Sequence, residues 1–99
     1  MSGTLSTANA VQRTTSGTIK ATAGTVHGVS FSDLGAAGAG AVNLRDGGAA
    51  GAILWTIGVA ASQYASHSVS FGPRGIAFNT DIYAELVGGV APKISVSYR

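Results

Sequence analysis

Apolar and polar residues alternate along most of the chain, a pattern that predicts strands with one buried face. The alternating apolar sets are Ile19, Ala21 and Ala23; His27, Val29 and Phe31; Val42 and Leu44; Ile53, Trp55, Ile57 and Val59; Val69 and Phe71; Ile76 and Phe78; Ile82, Ala84 and Leu86; and Ile94, Val96 and Tyr98. No segment carries apolar residues at a sustained helical spacing. About seven or eight short strands at spacings of about 8–12 residues therefore predict an all-β fold, a small antiparallel β-sandwich or jelly-roll-like barrel.

Glycine-rich segments separate the predicted strands. Asp46-Gly47-Gly48 predicts a turn whose glycines adopt positive φ, and Gly72-Pro73-Arg74-Gly75 predicts a break between two strands. Three longer stretches are predicted to be loops, namely Asp33–Gly40, Asp46–Gly51 and Ala60–Ser66.

The strongest alternation in the chain is formed by Ile53, Trp55, Ile57 and Val59. Because Leu54 on the opposite face is also apolar, we predict a central strand that is buried on both faces. The largely apolar stretch Ala49–Ala61 is shorter than the roughly 20 residues of a membrane-spanning helix, and it contains glycine and β-branched residues. We therefore expect no membrane partner, with a small membrane-active protein as a minor alternative.

Residues 1–15 lack apolar periodicity and have few side chains that would anchor a core. They predict a flexible N-terminal arm, which leaves residues 16–99 as the β-sandwich domain. Met1–Ala10 has neither the basic nor the apolar region of a secretory signal.

The composition changes this picture in one respect, which is the scarcity of charge. Of 99 residues only 10% are charged, where an ordinary soluble domain has roughly 25%. There are 15 glycines and no cysteine, which excludes a disulfide scaffold and a Cys-ligated metal site. The six basic residues are Arg13, Lys20, Arg45, Arg74, Lys93 and Arg99. Because no two are adjacent, they do not form the basic stripe of a nucleic-acid binder, and we expect no nucleic-acid partner.

The candidate chemical groups do not fall into catalytic spacings. Residues 35–40 have the order G-x-x-G-x-G instead of the dinucleotide-binding G-x-G-x-x-G. His27, His67 and Asp46 are the types needed for a Ser–His–Asp triad, but no nucleophile elbow accompanies them. We predict that the protein is not an enzyme and has no catalytic, cofactor-binding or metal-binding residues.

Carboxylates and aromatic rings give no stronger signal. A metal site would add to the histidines some of the carboxylates Asp33, Asp46, Asp81 and Glu85, yet no close ligand pair such as H-x-H is present. Asp81 and Glu85 would lie about 13 Å apart on one strand face, too far for the carboxylate pair of a glycosidase. The aromatic residues Trp55, Tyr64, Tyr83 and Tyr98 would suit a carbohydrate platform, although such residues in strands more often belong to a core or an interface.

The segments Leu44-Arg45-Asp46-Gly47 and Gly75–Ala84 resemble small β-sandwich structural proteins of tailed-bacteriophage particles. In that pattern a glycine-hydrophobic strand, here Gly24–Phe31, precedes a strand that ends in an Asp-Gly turn. A Gly-Ile-x-Phe-x-x-x-Ile-Tyr double strand, a Gly-Gly turn and an alternating C-terminal strand, here Ile94–Tyr98, complete the pattern. The resemblance covers residues 16–99.

The resemblance implies a structural virion protein, assembled in the host cytoplasm, that decorates or cements the phage head. Its partners would be the major capsid protein and copies of itself, expected as a homotrimer. The alternatives are a head–tail connector or tail component, and a small glycan-binding module. We expect the contacts to involve the N-terminal arm and the loops Asp33–Gly40 and Ala60–Ser66.

Overall fold

Nine strands form in the part of the chain that the computed structural model describes, which comprises residues 9–34, 40–59, 65–88 and 93–99. They are β1 (Asn9–Arg13), β2 (Gly17–Lys20), β3 (Gly24–Leu34), β4 (Gly40–Asp46), β5 (Ala52–Val59), β6 (Ala65–Ser70), β7 (Ile76–Phe78), β8 (Ile82–Gly88) and β9 (Lys93–Tyr98). The prediction of an all-β fold is confirmed. None of the described residues belongs to a helix long and apolar enough to cross a membrane.

The strands form two antiparallel sheets. Sheet A has the order β1-β9-β3-β6, and sheet B has the order β2-β8-β4-β5. Strand β7 follows β6 along the same side of β3, so these two strands form one edge that is interrupted by Phe71–Gly75. The chain passes from one sheet to the other between most consecutive strands, as in a jelly roll. The predicted β-sandwich is therefore confirmed.

The core lies between the inner faces of the two sheets. Its members in the described residues are buried apolar side chains from both sheets, namely Ile19, Val26, Val29, Phe31, Val42, Leu44, Phe78, Ile82, Ala84, Ile94 and Val96. Trp55, Ile57 and Phe71 pack against this cluster at its margin. The rings of Trp55 and Phe71 meet edge to face with centroids 5.5 Å apart, which is a favourable geometry for an aromatic pair.

The predicted glycine turn after β4 is confirmed. Gly47 and Gly48 have φ of 110° and 80°, a conformation that glycine adopts without the Cβ clash of other residues. The predicted interruption at residues 72–75 is also confirmed, since β6 ends at Ser70 and β7 begins at Ile76.

Strand β5 is an edge strand, so the prediction of a central strand buried on both faces is wrong. The register shifts between Leu44 and Arg45: Leu44 pairs with Trp55, whereas Arg45 pairs with Ile53. Leu54 is the extra residue of this β-bulge. Because of this extra residue, the side chains before the bulge point to the opposite face of the sheet from the one that the alternation predicts. Ile53 and Leu54 consequently remain 47% and 40% exposed, while Trp55 packs against the core.

A second register shift changes the predicted inner face of β3. Val26 pairs with Tyr98, but the next pair with β9 is Gly28 and Ser97. Val26 is therefore fully buried, and His27, which the alternation assigned to the apolar set, is only half-buried. The period of two holds on each side of the bulge and fails across it.

The predicted N-terminal arm differs from the structure at residues 9–13. These residues form β1, which pairs with β9 in a regular antiparallel register, and Val11 packs against the core. The edge of β9 offers backbone partners that compensate for the weak apolar pattern of β1. Residues 1–8 of the arm lie outside the described residues.

Two predicted loops are shorter than expected. Asp33 and Leu34 end β3 and Gly40 begins β4, whereas residues 35–39 lie outside the described residues. Ala65 and Ser66 begin β6, and residues 60–64 lie outside the described residues as well.

The contrast between β4 and β5 can be tested with the same chemical deletion on both strands. Leu44 is fully buried, so Leu44→Ala should lower the free energy of unfolding by roughly 2–5 kcal/mol. Leu54→Ala on the exposed bulge should change it by only about 0.5 kcal/mol. Urea unfolding of both variants in dilute solution gives the comparison, and equal losses would contradict the edge position of β5.

Candidate interaction surfaces

The outer face of sheet A is built mainly from small hydroxyl side chains, with Lys93 paired with Ser32 at one end. Residues that alternate with the buried apolar positions of β3, β6 and β9 point away from the core, and this serine face consists of Ser30, Ser32, Ser68, Ser70, Ser95 and Ser97. The registers align Gln12, Ser95, Ser30 and Ser68 in one row across four strands. The Ser30 and Ser68 hydroxyls are hydrogen-bonded to each other at 3.1 Å.

A shallow depression lies within the serine face. It has a volume of about 370 Å³ and is lined by Gln12, Ser30, Phe31, Ser32, Ser68, Lys93, Ile94 and Ser95. Phe31 is 4% exposed and belongs to the core, so it presents no ring face here. The lining offers hydroxyl and amide groups and one ammonium group, Lys93, which suit neutral polar partners.

The outer face of sheet B carries a hydrogen-bonded network across three strands. The Oε1 atom of Glu85 accepts a hydrogen bond from Asn43 Nδ2 at 2.7 Å and forms an ion pair with Arg45 at 3.1 Å. The Thr56 hydroxyl donates to Asn43 Oδ1, and Arg45 also donates to the Gly51 carbonyl oxygen at 2.7 Å. The hydrogen bond from Asn43, and then the Arg45 guanidinium, lower the pKa of Glu85. The charges of Arg45 and Glu85 therefore balance within the subunit.

The free side of β5 is the second candidate surface. We define the β5 edge as the side of residues 52–59 that faces away from β4. Strand β5 contains no charged residue and no proline, and it presents the exposed side chains of Ile53 and Leu54. Uncharged apolar edge strands are templates for pairing with another strand.

The carboxylates of Asp46 and Asp81 hold two turns together, and we call this pair the turn lock. Asp46 accepts hydrogen bonds from the backbone N–H groups of Asn79, Thr80 and Asp81, at 2.9, 2.8 and 3.3 Å. Asp81 in return accepts from the N–H groups of Gly47 and Gly48, at 2.9 and 3.0 Å. The hydrogen bonds from Asn79 and then Thr80 lower the pKa of Asp46, because they favour its ionised form.

Several residues that the sequence analysis considered for catalysis or metal binding make structural contacts in the fold. Asp46 and Asp81 come together in the turn lock, while Glu85 belongs to the separate network on sheet B. His27 Nδ1 lies 3.4 Å from the Gly72 carbonyl oxygen, where it faces the loop after β6. The described residues contain no cluster of three or more side chains that would hold a metal ion. The side chain of His67 lies outside the part of the chain that the structure describes.

The aromatic residues considered for a carbohydrate platform do not share one surface. Trp55 and Tyr98 pack against the core, whereas Tyr83 pairs with Arg45 on the outer face of sheet B. Tyr64 lies outside the described residues.

The sequence alone did not locate either candidate surface, the serine face or the β5 edge. The serine alternation was visible, but the row of Gln12, Ser95, Ser30 and Ser68 joins residues from four distant segments. The sequence pattern at Ile53 and Leu54 predicts burial instead of exposure. Consecutive apolar residues point to opposite faces of a regular strand and are typical of a strand that is buried on both faces.

The turn lock predicts a pH dependence of stability. Since the folded pKa of Asp46 lies below its ordinary value, the unfolded chain takes up the proton first, so this contribution is complete at neutral pH. It is lost as the pH falls from about 5 through the lowered folded pKa. Asp46→Asn should therefore be less stable than the wild type at pH 7 and lose less stability on acidification. Urea unfolding between about pH 2 and pH 7 measures both effects.

Glu85→Gln provides the comparison for this measurement, because Glu85 is a second carboxyl whose pKa is lowered. It should remove a separate part of the acid sensitivity. A variant Asp46→Asn with the full pH dependence of the wild type would contradict the turn lock.

Comparisons with known proteins do not assign the chain to a family. No family model matches the sequence, and a search of curated proteins found no match. Among solved structures, the chain is similar to a protein of the disulfide-linked pili that form Bacillus endospore appendages. The likeness covers 99% of this chain and 95% of that chain at 17% identity, with a TM-score of 0.43. At that level it supports no statement about function, and the present chain has no cysteine.

Proposed function

We propose that this chain is a non-enzymatic structural protein that decorates or cements the head of a tailed-bacteriophage particle. The observation that carries the proposal is the serine face, whose serine side chains are uncharged and which we assign to contact with the capsid shell. A face of hydroxyl groups loses less solvation than a charged face when it is buried against protein. Lys93, which pairs with Ser32 at one end of this face, is exposed, and its long side chain can keep the ammonium group in water.

The uses of the charged side chains support this proposal. Asp46 and Asp81 hold turns, Arg45 and Glu85 neutralise each other, and Arg13 donates to the carbonyl oxygens of Thr15 and Ser16. Lys20 donates to the Ala23 carbonyl oxygen at 2.8 Å. These charges are engaged within the subunit, which leaves the serine face, with Lys93 at one end, suited to close contact with another protein surface.

The resemblance of residues 16–99 to phage β-sandwich proteins supplies the identity of the proposed partner, the major capsid protein. A decoration protein binds many equivalent sites, so weak contacts at each copy add up through multivalency. A head–tail connector or a tail component uses the same kind of neutral surface but at far fewer copies. The copy number on the particle therefore separates these roles.

A particle-binding experiment tests the proposal. Particles of the encoding phage that lack this chain should bind the added protein in hundreds of copies, as measured by quantitative mass spectrometry after gradient purification. Ser30→Arg, in the middle of the serine face, should reduce the affinity about tenfold or more, because it buries an unpaired charge.

Thr18→Arg is the matched control for that experiment. Thr18 is exposed on β2 of sheet B, and the arginine there should leave binding unchanged. Absence of the protein from purified wild-type particles would overturn the proposed function. Binding that is unaffected by Ser30→Arg would show that another face contacts the shell.

The depression on the serine face favours a second candidate, the binding of a neutral glycan. Its hydroxyl and amide lining matches sugar hydroxyls, while the aromatic residue of the lining, Phe31, is largely buried in the core. Calorimetric titration with neutral oligosaccharides, compared between wild type and Ser95→Arg, tests this candidate. Heat of binding that disappears in the variant would favour it.

A further inference from the structure

We propose that β5 pairs antiparallel with β5 of a second copy of this chain, about a two-fold axis that passes beside Thr56. The pairing joins two copies of sheet B into one continuous sheet. This pairing would give the proposed structural protein a second contact surface. It rests on the proposed function only for the use of the pairing in assembly. Four features of the β5 edge carry the proposal.

The first feature is Gly58, whose lack of a side chain has no cause among the described residues of the subunit. Glycine weakens a strand interior, and it is usually found where a bulge or a close approach of another chain requires it. The φ of Gly58 is not positive, and among the described residues a Cβ there would meet the Gly40 carbonyl oxygen at 3.5 Å and Ala41 Cβ at 3.9 Å, both ordinary contacts. The bare position on an exposed edge therefore indicates room for a neighbouring chain.

The second feature is the fit between Leu54 and Gly58. In an antiparallel pair centred on Thr56, Leu54 of one copy lies opposite Gly58 of the other, and the same contact recurs on the far side of the axis. Leu54 is 40% exposed in the subunit, and Gly58 provides the space that a large side chain at this point needs. The same strand thus supplies both the large side chain, Leu54, and the space at Gly58 that receives Leu54 of the second copy.

The third feature is the inner face of the same pair. The two-fold axis places Trp55 opposite Ile57 of the second copy, and both residues are only partly buried where they pack against the core. Cross-strand pairs of aromatic and β-branched residues stabilise antiparallel sheets. The second copy would extend the core and cover the exposed part of the Trp55 ring.

The fourth feature is electrical neutrality. Strand β5 has no charged residue, and the nearby Arg45 is balanced by Glu85, so two copies of this edge meet without like-charge repulsion. Two of the other edges, β1 and β2, are shorter, with five and four residues, and end in Arg13 and Lys20, and the edge formed by β6 and β7 is interrupted by Phe71–Gly75. A second copy matches the β5 edge better than a charged partner would.

The pairing is expected to be weak in solution and reinforced when copies are held side by side. The residues from Leu54 to Gly58 span roughly 13 Å of strand, which places the contact at the small end of protein interfaces. We expect a dissociation constant in the micromolar range. Sedimentation velocity of the purified chain from about 1 µM to about 500 µM should show a monomer that converts to a dimer.

Trp55 is the only tryptophan of the chain and reports on the same contact. Its quenching by acrylamide should decrease over the concentration range in which the dimer forms, because the second copy covers the ring. A chain that stays monomeric throughout, or that forms a trimer as the homotrimer prediction expects, would overturn the two-fold pairing.

Charge exchange at Thr56 tests the position of the axis. Thr56→Lys and Thr56→Glu each place two like charges opposite each other, so each variant alone should remain monomeric. An equal mixture of the two should recover dimers, because opposite charges then face each other. Circular dichroism of each variant verifies the fold, and failure of the mixture to associate would contradict an axis at Thr56.

Two controls accompany this exchange. Thr56→Val removes the hydrogen bond to Asn43 and keeps a neutral β-branched side chain, so it should still dimerise. Val87→Lys places a charge on another exposed apolar residue of sheet B, two strands from the β5 edge, and should also dimerise.

Gly58→Ala separates the interface from the fold. The added methyl group should raise the thermal midpoint of the dilute monomer, since it makes only ordinary contacts in a strand. It should weaken dimerisation about tenfold by occupying the space for Leu54. A variant that is more stable and dimerises as well as the wild type would contradict the role of Gly58. These measurements use purified protein alone, so they fail or succeed independently of the particle-binding experiment.

Discussion

Burial of the inner faces of two sheets is the constraint on which the rest of this structure depends. The core joins alternate residues of strands from both sheets, and β4 contributes Val42 and Leu44, which are fully buried. A shift of one residue in any pairing would exchange buried and exposed side chains. The bulge at Leu54 is such a shift, and it leaves apolar side chains outside the core at the edge of sheet B.

Several of the few charged side chains make contacts within the subunit, both at turns and across sheet B. Asp46 and Asp81 each satisfy backbone N–H groups of the other's turn, and this contact joins segments that are 35 residues apart. Arg45 and Glu85 balance each other on sheet B. Because these groups are engaged within the subunit, they add no charge to the β5 edge or to the serine face, whose depression has Lys93 in its lining. The low charge content is therefore a property of the surfaces that we propose for contact with other protein.

Prediction from the sequence succeeded for features that depend on neighbouring residues. The alternation identified most strands, and the glycines of Asp46-Gly47-Gly48 identified a turn with positive φ. Prediction failed at His27 and Leu54, where bulges change the facing of the strand, and at Asn9–Arg13, where the edge of β9 orders a segment with little apolar signal. A bulge requires a partner strand, so a single-strand pattern does not report it.

The sequence by itself determined that the protein is built from strands, that many of its outer strand positions are serine, threonine or glycine, and that it has no cysteine chemistry. Only the tertiary structure decided that β5 lies at an edge, that four distant segments align Gln12, Ser95, Ser30 and Ser68, and that Asp46 reaches the turn before β8. The physical reason is that alternation records which face of a strand is apolar. Which strand lies beside it depends on backbone pairing between residues far apart in the chain.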